Sequence, residues 1–351
     1  MSLQSKVHRR VNETPPTRTS DGRMAWELLA GSRTLLIATH ANPDADAVAS
    51  VLALRLVLAE LVESAICLTG DGLVPPNLEF LPGAEHLLRD PTSVTDPPDC
   101  IALVDCADPA RLGPLFRLHP TWFDGHIPIV NIDHHVTNTR YGSVDLVDPS
   151  SAATTEVLAH WLEELEQPIT PDVATCLLTG LYGDTLSFQT TSTSARVFQL
   201  AARLLEAGAR QEDIITHLFR RKPLSTIRLW GAALSRVQYE PPLIWTEITH
   251  HMLQEAGASP VEGEGIVNFL VGTDGTSVAL LFYEQSEGWR VSLRSADGSV
   301  DVARLCQRYG GGGHPRAAGC RLPPGEAARR SFLDDLAAQV SALLSIELPS
   351  G

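Results

Sequence analysis

The chain has 351 residues, 44% hydrophobic and 20% charged, enough for two domains that each bury a core. Its 27 Lys and Arg against 42 Asp and Glu leave a net charge of −15. That argues against a protein that coats long nucleic acid and fits an enzyme that gathers carboxylates around cations.

The N-terminal stretch MSLQSKVHRRVNETPPTRTSDGR lacks the apolar run of a secretory signal, and residues 1–21 read as a mobile polar tail. The longest apolar stretch, VLALRLVLAELV (51–62), carries Arg55 and Glu60 and reads as an amphipathic helix, not a membrane span. The six cysteines, Cys67, Cys100, Cys106, Cys176, Cys306 and Cys320, form no CxxC pair and lie mostly in apolar contexts. Reduced, buried thiols in a cytoplasmic protein are expected.

TLLIAT (34–39) reads as a strand, Asp44–Leu61 as a helix and residues 65–69 as a second strand. CIALVD (100–105) and IPIVNID (127–133) follow as further apolar strands. Apolar strands alternating with helices predict a parallel sheet covered on both faces. Ligands of such sheets bind at the carboxyl ends of the strands, and there the chain places His40, Asp105 and Asp133. Residues 153–165, 171–185 and 194–208 read as helices. FRRKPLST (219–226) is a charged connection with helical residues after it to about 238. Residues 277–285 and 289–295 suggest an antiparallel pair, 301–310 a helix, CRLP (320–323) a short strand and 326–346 a long helix. The expected organisation is a first domain over 22–220, a helical linker over 221–240 and a second domain over 241–351.

Candidate chemistry gathers in five places. ATHANPDADAVAS (38–50) offers His40, Asp44 and Asp46. A helix cap explains one aspartate there, but not a second acid two residues on and a histidine four residues before. LVDCAD (103–108) gives Asp105, VNIDHHVTN (130–138) gives Asp133, His134 and His135, and TGLYGDT (179–185) gives Asp184. Singly, each fits a polar loop or a hydrogen-bonded buried acid. Together, five acids and three histidines at converging edges would repel one another without bound cations. Two metal ions sharing ligands, a geometry suited to phosphoryl-ester hydrolysis, are expected. The fifth place is SLRS (292–295) with GGGGHPRAAG (310–319). There glycines let the backbone approach an anion, and Arg294, His314 and Arg316 add donors.

In this order, HANPDADAVAS, LVDCAD, NIDHHVTN, YGDT and GGGGHPRAAG resemble the DHH phosphoesterase family with a C-terminal DHHA1 domain, in its oligoribonuclease and pAp-phosphatase branch. The resemblance covers roughly residues 30–345. It implies an α/β fold: a DHH domain with a mainly parallel β-sheet flanked by helices, and a smaller α/β DHHA1 domain. It further implies a two-Mn²⁺ site in a cleft between domains, with Mg²⁺ or Co²⁺ as alternatives. His40 and Asp44 would hold one ion, and Asp46, His134 and Asp184 the other. Asp105 would bridge them beside a nucleophilic water. Asp133 and His135 would orient the site or contact phosphate, completing a catalytic set with Asp105 and His134. Arg294, Ser295, Gly312, Gly313, His314 and Arg316 would bind substrate. Ala45, Ala49 and Leu186 stand where relatives favour glycine.

The implied activity is hydrolysis of short oligonucleotides, pApA or 3′-phosphoadenosine 5′-phosphate. The weaker alternatives are a cyclic-di-AMP phosphodiesterase, a RecJ-like single-strand exonuclease, a pyrophosphatase or exopolyphosphatase, and a silent nucleotide-binding regulator. The expected partners are a nucleotide substrate and a second copy of the chain, without long DNA or membrane.

Overall fold

A computed structural model describes residues 19–346. The polar tail expected over 1–21 lies outside the described residues as far as residue 18; from Thr19 the chain is helical. The chain divides into two compact units, residues 1–221 and 222–351.

In the first unit the strands are β1 (Thr34–Thr39), β2 (Ser64–Thr69), β3 (Leu87–Leu88), β4 (Cys100–Val104), β5 (Ile129–Asp133) and β6 (Val144–Val147). The helices are α1 (Thr19–Ala30), α2 (Ala45–Leu58), α3 (Pro114–Leu118), α4 (Thr154–Glu164), α5 (Pro171–Asp184), α6 (Ala195–Glu206) and α7 (Gln211–Ile215). The strands form one sheet in the order β3-β2-β1-β4-β5-β6, and every pairing is parallel. Successive side chains of β1 enter opposite cores: Leu35 and Ile37 one, Leu36 and Ala38 the other. The uninterrupted apolar runs of the sequence are therefore strands covered on both faces.

The strand order reverses between β1 and β4. From β1 the chain moves outward to β2 and β3, then returns to the far side of β1 as β4. Side chains leaving the carboxyl ends of these two neighbours meet where no crossover covers them. His40 follows β1 and Asp105 follows β4.

Helix α2 departs from its expected amphipathic character: every residue from Asp46 to Leu54 is buried. The reason is α5, also buried from Val173 to Tyr182, which packs against α2 through two glycines. A Cβ on Gly180 would stand 2.3 Å from Asp46 Oδ1 and 2.4 Å from Thr155 Oγ1. One on Gly183 would stand 2.7 Å from Ala45 Cβ. A helix sheathed this way needs no polar face.

The second unit comprises α8 (Leu224–Leu234), β7 (Gln238–Glu240), β8 (Leu243–Ile248), α9 (His250–Ala256), α10 (Ile266–Leu270), β9 (Val278–Gln285), β10 (Gly288–Ser295), α11 (Val302–Gln307), β11 (Gly312–His314), β12 (Ala317–Leu322) and α12 (Glu326–Ile346). The sheet order is β11-β12-β10-β9-β8-β7, parallel only between β8 and β9. One core lies against α11 and α12, and another takes Leu229 and Ala233 of α8 with residues of α9 and α10. Residues 224–234, expected as part of a connection, are thus built into this unit's core. The glycine run was expected as a loop, but its last two glycines and His314 form edge strand β11, paired with β12. All six cysteines are free and buried, and no described helix is long and apolar enough to cross a membrane.

The close contact at Gly180 makes Gly180→Ala destabilising by about 1–3 kcal/mol, because the new methyl must push Asp46 or Thr155 aside. Thermal denaturation of the purified variant measures it, and an unchanged Tm would show that the notch tolerates a methyl.

Candidate metal centre

Each acid is placed by a local device. Asp44 caps α2, accepting from the Ala47 N–H at 3.0 Å. Asp46, two residues further and fully buried, accepts from the N–H groups of Thr154 and Thr155 at 2.6 and 3.1 Å. The Thr155 hydroxyl adds a third bond at 2.7 Å. Asp46 therefore caps α4 from another helix, where the helix's own cap residue, Ala153, has no side-chain oxygen to offer. Asp105 follows β4 with φ at +53°, a left-handed conformation that costs about 1–2 kcal/mol outside glycine and is best tolerated by Asp and Asn. Its Oδ1 accepts from Thr154 Oγ1 at 2.9 Å.

The DHH segment explains how two adjacent histidines turn to one side. Asp133, at the end of β5, accepts the N–H groups of His134 and His135 on Oδ1 at 2.8 and 3.2 Å. This Asx turn bends the chain sharply off the strand. The same oxygen meets His135 Nδ1 at 2.7 Å, and Oδ2 accepts from Asn138 Nδ2 at 2.6 Å. Asp133 is 0% exposed, and its bonds serve its own loop.

Around Asp105 the imidazoles converge. His40 Nε2 lies 3.6 Å from Oδ2, and His134 Nε2 and His135 Nδ1 lie 3.7 and 3.5 Å from Oδ1. His134 Nε2 also reaches Asp184 Oδ2 at 3.1 Å, while its Nδ1 faces the Ser151 carbonyl at 3.3 Å. Three overlapping groups have ligand atoms within 4.8 Å of one another: His40, Asp44 and Asp105; Asp46, His134 and Asp184; Asp105, His134 and His135. All six expected metal ligands thus come together. His135 joins a metal-competent group that was not expected for it, and Asp133 joins none.

The electrostatics show what this costs. Burial and the neighbouring Asp184 and Asp105 push Asp46 well above the ordinary carboxylate range. Burial lifts Asp184 to about 6, a rise only partly offset by its bond to His134. Asp184 also ends α5, where the helix dipole disfavours an anion. Burial alone would raise Asp105, but His40, His134 and His135 hold it below the ordinary value. Burial opposes charge on His134, yet Asp184, Asp46 and Asp105 raise it to about 10. Crowded acids held above the ordinary carboxylate range beside imidazoles raised in turn fit a site that takes cations. The donors are all carboxylate and imidazole, with no thiolate, which suits hard and borderline divalent ions.

Among the expected substrate residues, two lie in one row of the second unit's sheet: Arg294 of β10 pairs with Ala317 of β12, which pairs with His314 of β11. Directly opposed residues share a face, and alanine between them leaves that face low. Arg294 Nε donates to Asn268 Oδ1 at 2.7 Å, a partner on α10 that the sequence did not flag. A Cβ on Gly313 would stand 2.5 Å from the Ala317 carbonyl oxygen, whereas one on Gly312 meets nothing within 4 Å. Ser295 is buried and accepts from the Gly298 N–H at 3.2 Å. Arg316 donates to the Ala296 carbonyl at 2.7 Å. These last two shape the 295–298 turn. Leu186 has φ at +47°, a left-handed position at which glycine is unstrained.

Site residues missed in the sequence are Ser151, Thr154, Thr155, Glu156 and Asn138. The usable signal was Glu156 in the first turn of a helix that begins without a capping side chain.

The histidine–aspartate pair contributes to the pH response of the metal-free protein. A group whose pKa rises on folding stabilises the fold below its unfolded value and loses that contribution as pH climbs through the folded one. For His134 the window runs from 6.5 to about 10. The Tm of chelator-treated protein should fall across it, and Asp184→Asn, which removes the partner charge, should flatten the decline. A flat wild-type profile would exclude the pairing.

Residues 34–181 match the model of the DHH family, N-terminal domain, and residues 246–342 that of the DHHA1 domain. A Thermus thermophilus protein named a bifunctional oligoribonuclease and PAP phosphatase is 33% identical over 313 residues, 89% of this chain and 91% of the relative. A Bacillus subtilis protein of the same name is 25% identical over 305 residues, 86% and 93% of the two chains. The solved structure of an exopolyphosphatase-related protein from Bacteroides fragilis superposes with a TM-score of 0.85 at 20% identity, covering 94% of this chain and 99% of that one. By motif, by fold and by relatives that match along nearly its whole length, the chain belongs to the DHH phosphoesterase family and carries a C-terminal DHHA1 domain.

Proposed function

We propose that the chain hydrolyses phosphate esters of short nucleotides, cleaving small oligoribonucleotides to nucleoside 5′-monophosphates and removing the 3′-phosphate of 3′-phosphoadenosine 5′-phosphate. The observation that carries this is the overlap of three metal-competent groups on Asp105 and His134, in a chain whose full-length relatives bear those two activities in their names. His40, Asp44 and Asp105 would hold one divalent ion, and Asp46, His134 and Asp184 a second, with Asp105 shared. Bound there, the ions, Mn²⁺ in our reading, would acidify a water and offset charge on the phosphoryl oxygens.

The chain's own groups do the rest. His40 Nδ1 is engaged with the Ala41 carbonyl at 2.9 Å, which turns Nε2 toward Asp105. Asp133 holds His135 by Nδ1, leaving Nε2 as the edge that can donate to a phosphoryl or leaving oxygen. Asp133 is on this reading a positioning residue. In the second unit Arg294, His314 and the open backbone at Gly312 and Gly313 are the candidate phosphate and nucleotide donors, with Ser295 and Arg316 bracing the turn beside them. The net charge of −15 favours a short substrate gripped at a few points over a long polyanion tracked along a basic surface.

The test is a turnover panel with Mn²⁺: 3′-phosphoadenosine 5′-phosphate, pApA, cyclic-di-AMP, a short RNA and pyrophosphate, each with and without EDTA. EDTA-sensitive release of AMP from the first two, and of nucleotides from RNA, is expected. Activity on pyrophosphate alone would overturn the reading. Asp105→Ala should abolish turnover while leaving the circular dichroism spectrum intact, and full activity in that variant under saturating Mn²⁺ would refute the shared-ligand role. Arg294→Ala should raise KM with little change in kcat.

A further inference from the structure

Three of the candidate ligands are held by one short segment. Residues 151–155 bond Asp46 through the Thr154 and Thr155 N–H groups and the Thr155 hydroxyl. They bond Asp105 through the Thr154 hydroxyl and face His134 Nδ1 with the Ser151 carbonyl. That last contact takes the Nδ1 proton and leaves Nε2 as the ligating atom. A segment serving three ligands must itself be held still.

The holding comes from behind. Glu156 is fully buried, and its Oε2 accepts from the Ala152 N–H at 2.6 Å. Its Oε1 accepts from Arg196 Nε at 2.7 Å. Arg196 Nη2 reaches Ser151 Oγ at 3.2 Å and Asp148 Oδ2 at 3.6 Å, and Ser151 Oγ donates to Asp148 Oδ2 at 2.8 Å. One guanidinium therefore fastens both ends of the turn that leads into α4. Arg196 sits in the first turn of α6, where the helix dipole disfavours a cation. Its location makes sense through partners on another element. Removing it would leave the buried Glu156 carboxylate with the Ala152 N–H and His160 Nε2, 3.7 Å away, but without its guanidinium.

We propose that Arg196, acting through Glu156, is a positioning residue for the metal ligands: it fixes residues 151–155 so that Asp46, Asp105 and His134 meet. It touches none of the candidate ligands. This rests on the metal-dependent reading above, and the experiment separates the two.

Mn²⁺ binding to the chelator-treated full chain is measured by isothermal titration calorimetry for wild type, Arg196→Met, Arg196→Ala and Arg203→Met. Arg203 pairs with Glu163 further along the same two helices, at 2.8 Å, and controls for helix docking alone. Arg196→Met should weaken Mn²⁺ affinity by about 10- to 100-fold, lowering kcat more than it raises KM, while Arg203→Met binds like wild type. Methylguanidine should restore part of the affinity of Arg196→Ala. If Arg196→Met fails to fold, Arg196→Lys, which keeps the charge without the fork, takes its place with the same expectation. Wild-type affinity in the folded variant, or an Arg196→Ala deficit that methylguanidine leaves untouched, overturns the proposal while the metal reading stands. Wild type that binds no Mn²⁺ overturns both.

Discussion

The first unit depends on keeping several carboxylates ionisable in a space from which water is largely excluded. Asp46, Asp105 and Asp133 are all at most 1% exposed, and each is made tolerable differently. Asp133 spends its charge on the N–H groups of its own turn. Asp46 spends it on the exposed N–H groups at the start of α4, whose dipole favours an anion. Asp105 is surrounded by three imidazoles and a hydroxyl. What these devices leave over, the raised pKa of Asp46, Asp184 and His134, is a demand for positive charge that divalent ions would meet.

The rest of the unit follows from that demand. A parallel sheet brings the carboxyl ends of β1 and β4 side by side at its reversal. Yet strand ends alone deliver only His40, Asp105 and Asp133. Of the candidate ligands beyond His40 and Asp105, His134 comes from the turn after β5, and Asp44, Asp46 and Asp184 come from α2 and α5; bringing these within reach requires α2 and α5 to pack at glycine distance and α4 to start directly over Asp46. Gly180 and Thr155 are thus as much conditions of the site as the acids are. The cost appears in the backbone, with Asp105 and Leu186 both in left-handed conformations.

The second unit is built differently. Its sheet is mostly antiparallel, so a row of opposed residues, Arg294, Ala317 and His314, is presented on one face by register and not by strand ends. The glycines there let β11 lie close against β12 and leave Gly312 open, which turns an edge strand into a surface a ligand can approach.

Much of this was legible in order along the chain. Apolar runs ending in His40, Asp105 and Asp133 announce parallel strands with chemistry at their ends, because a strand covered on both faces has no other place for a polar residue. Of the six expected ligands, His40 and Asp105 are placed for that reason, and the other four were legible through the resemblance of their motifs. The burial of α2 on every side was not legible, since periodicity reports what a helix contains and not what surrounds it. Nor was the strand character of GGGGH, whose glycines carry no pattern and pair only because β12 offers an edge. The roles of Ser151, Thr154, Thr155 and Arg196 were hidden because hydroxyls, backbone groups and a guanidinium acquire meaning only from partners up to 109 residues away. The sequence by itself determined which groups could do the chemistry and which ends of the strands would carry them. The tertiary structure decided what holds those groups in place, because hydrogen bonds between distant segments depend on packing that no local pattern encodes.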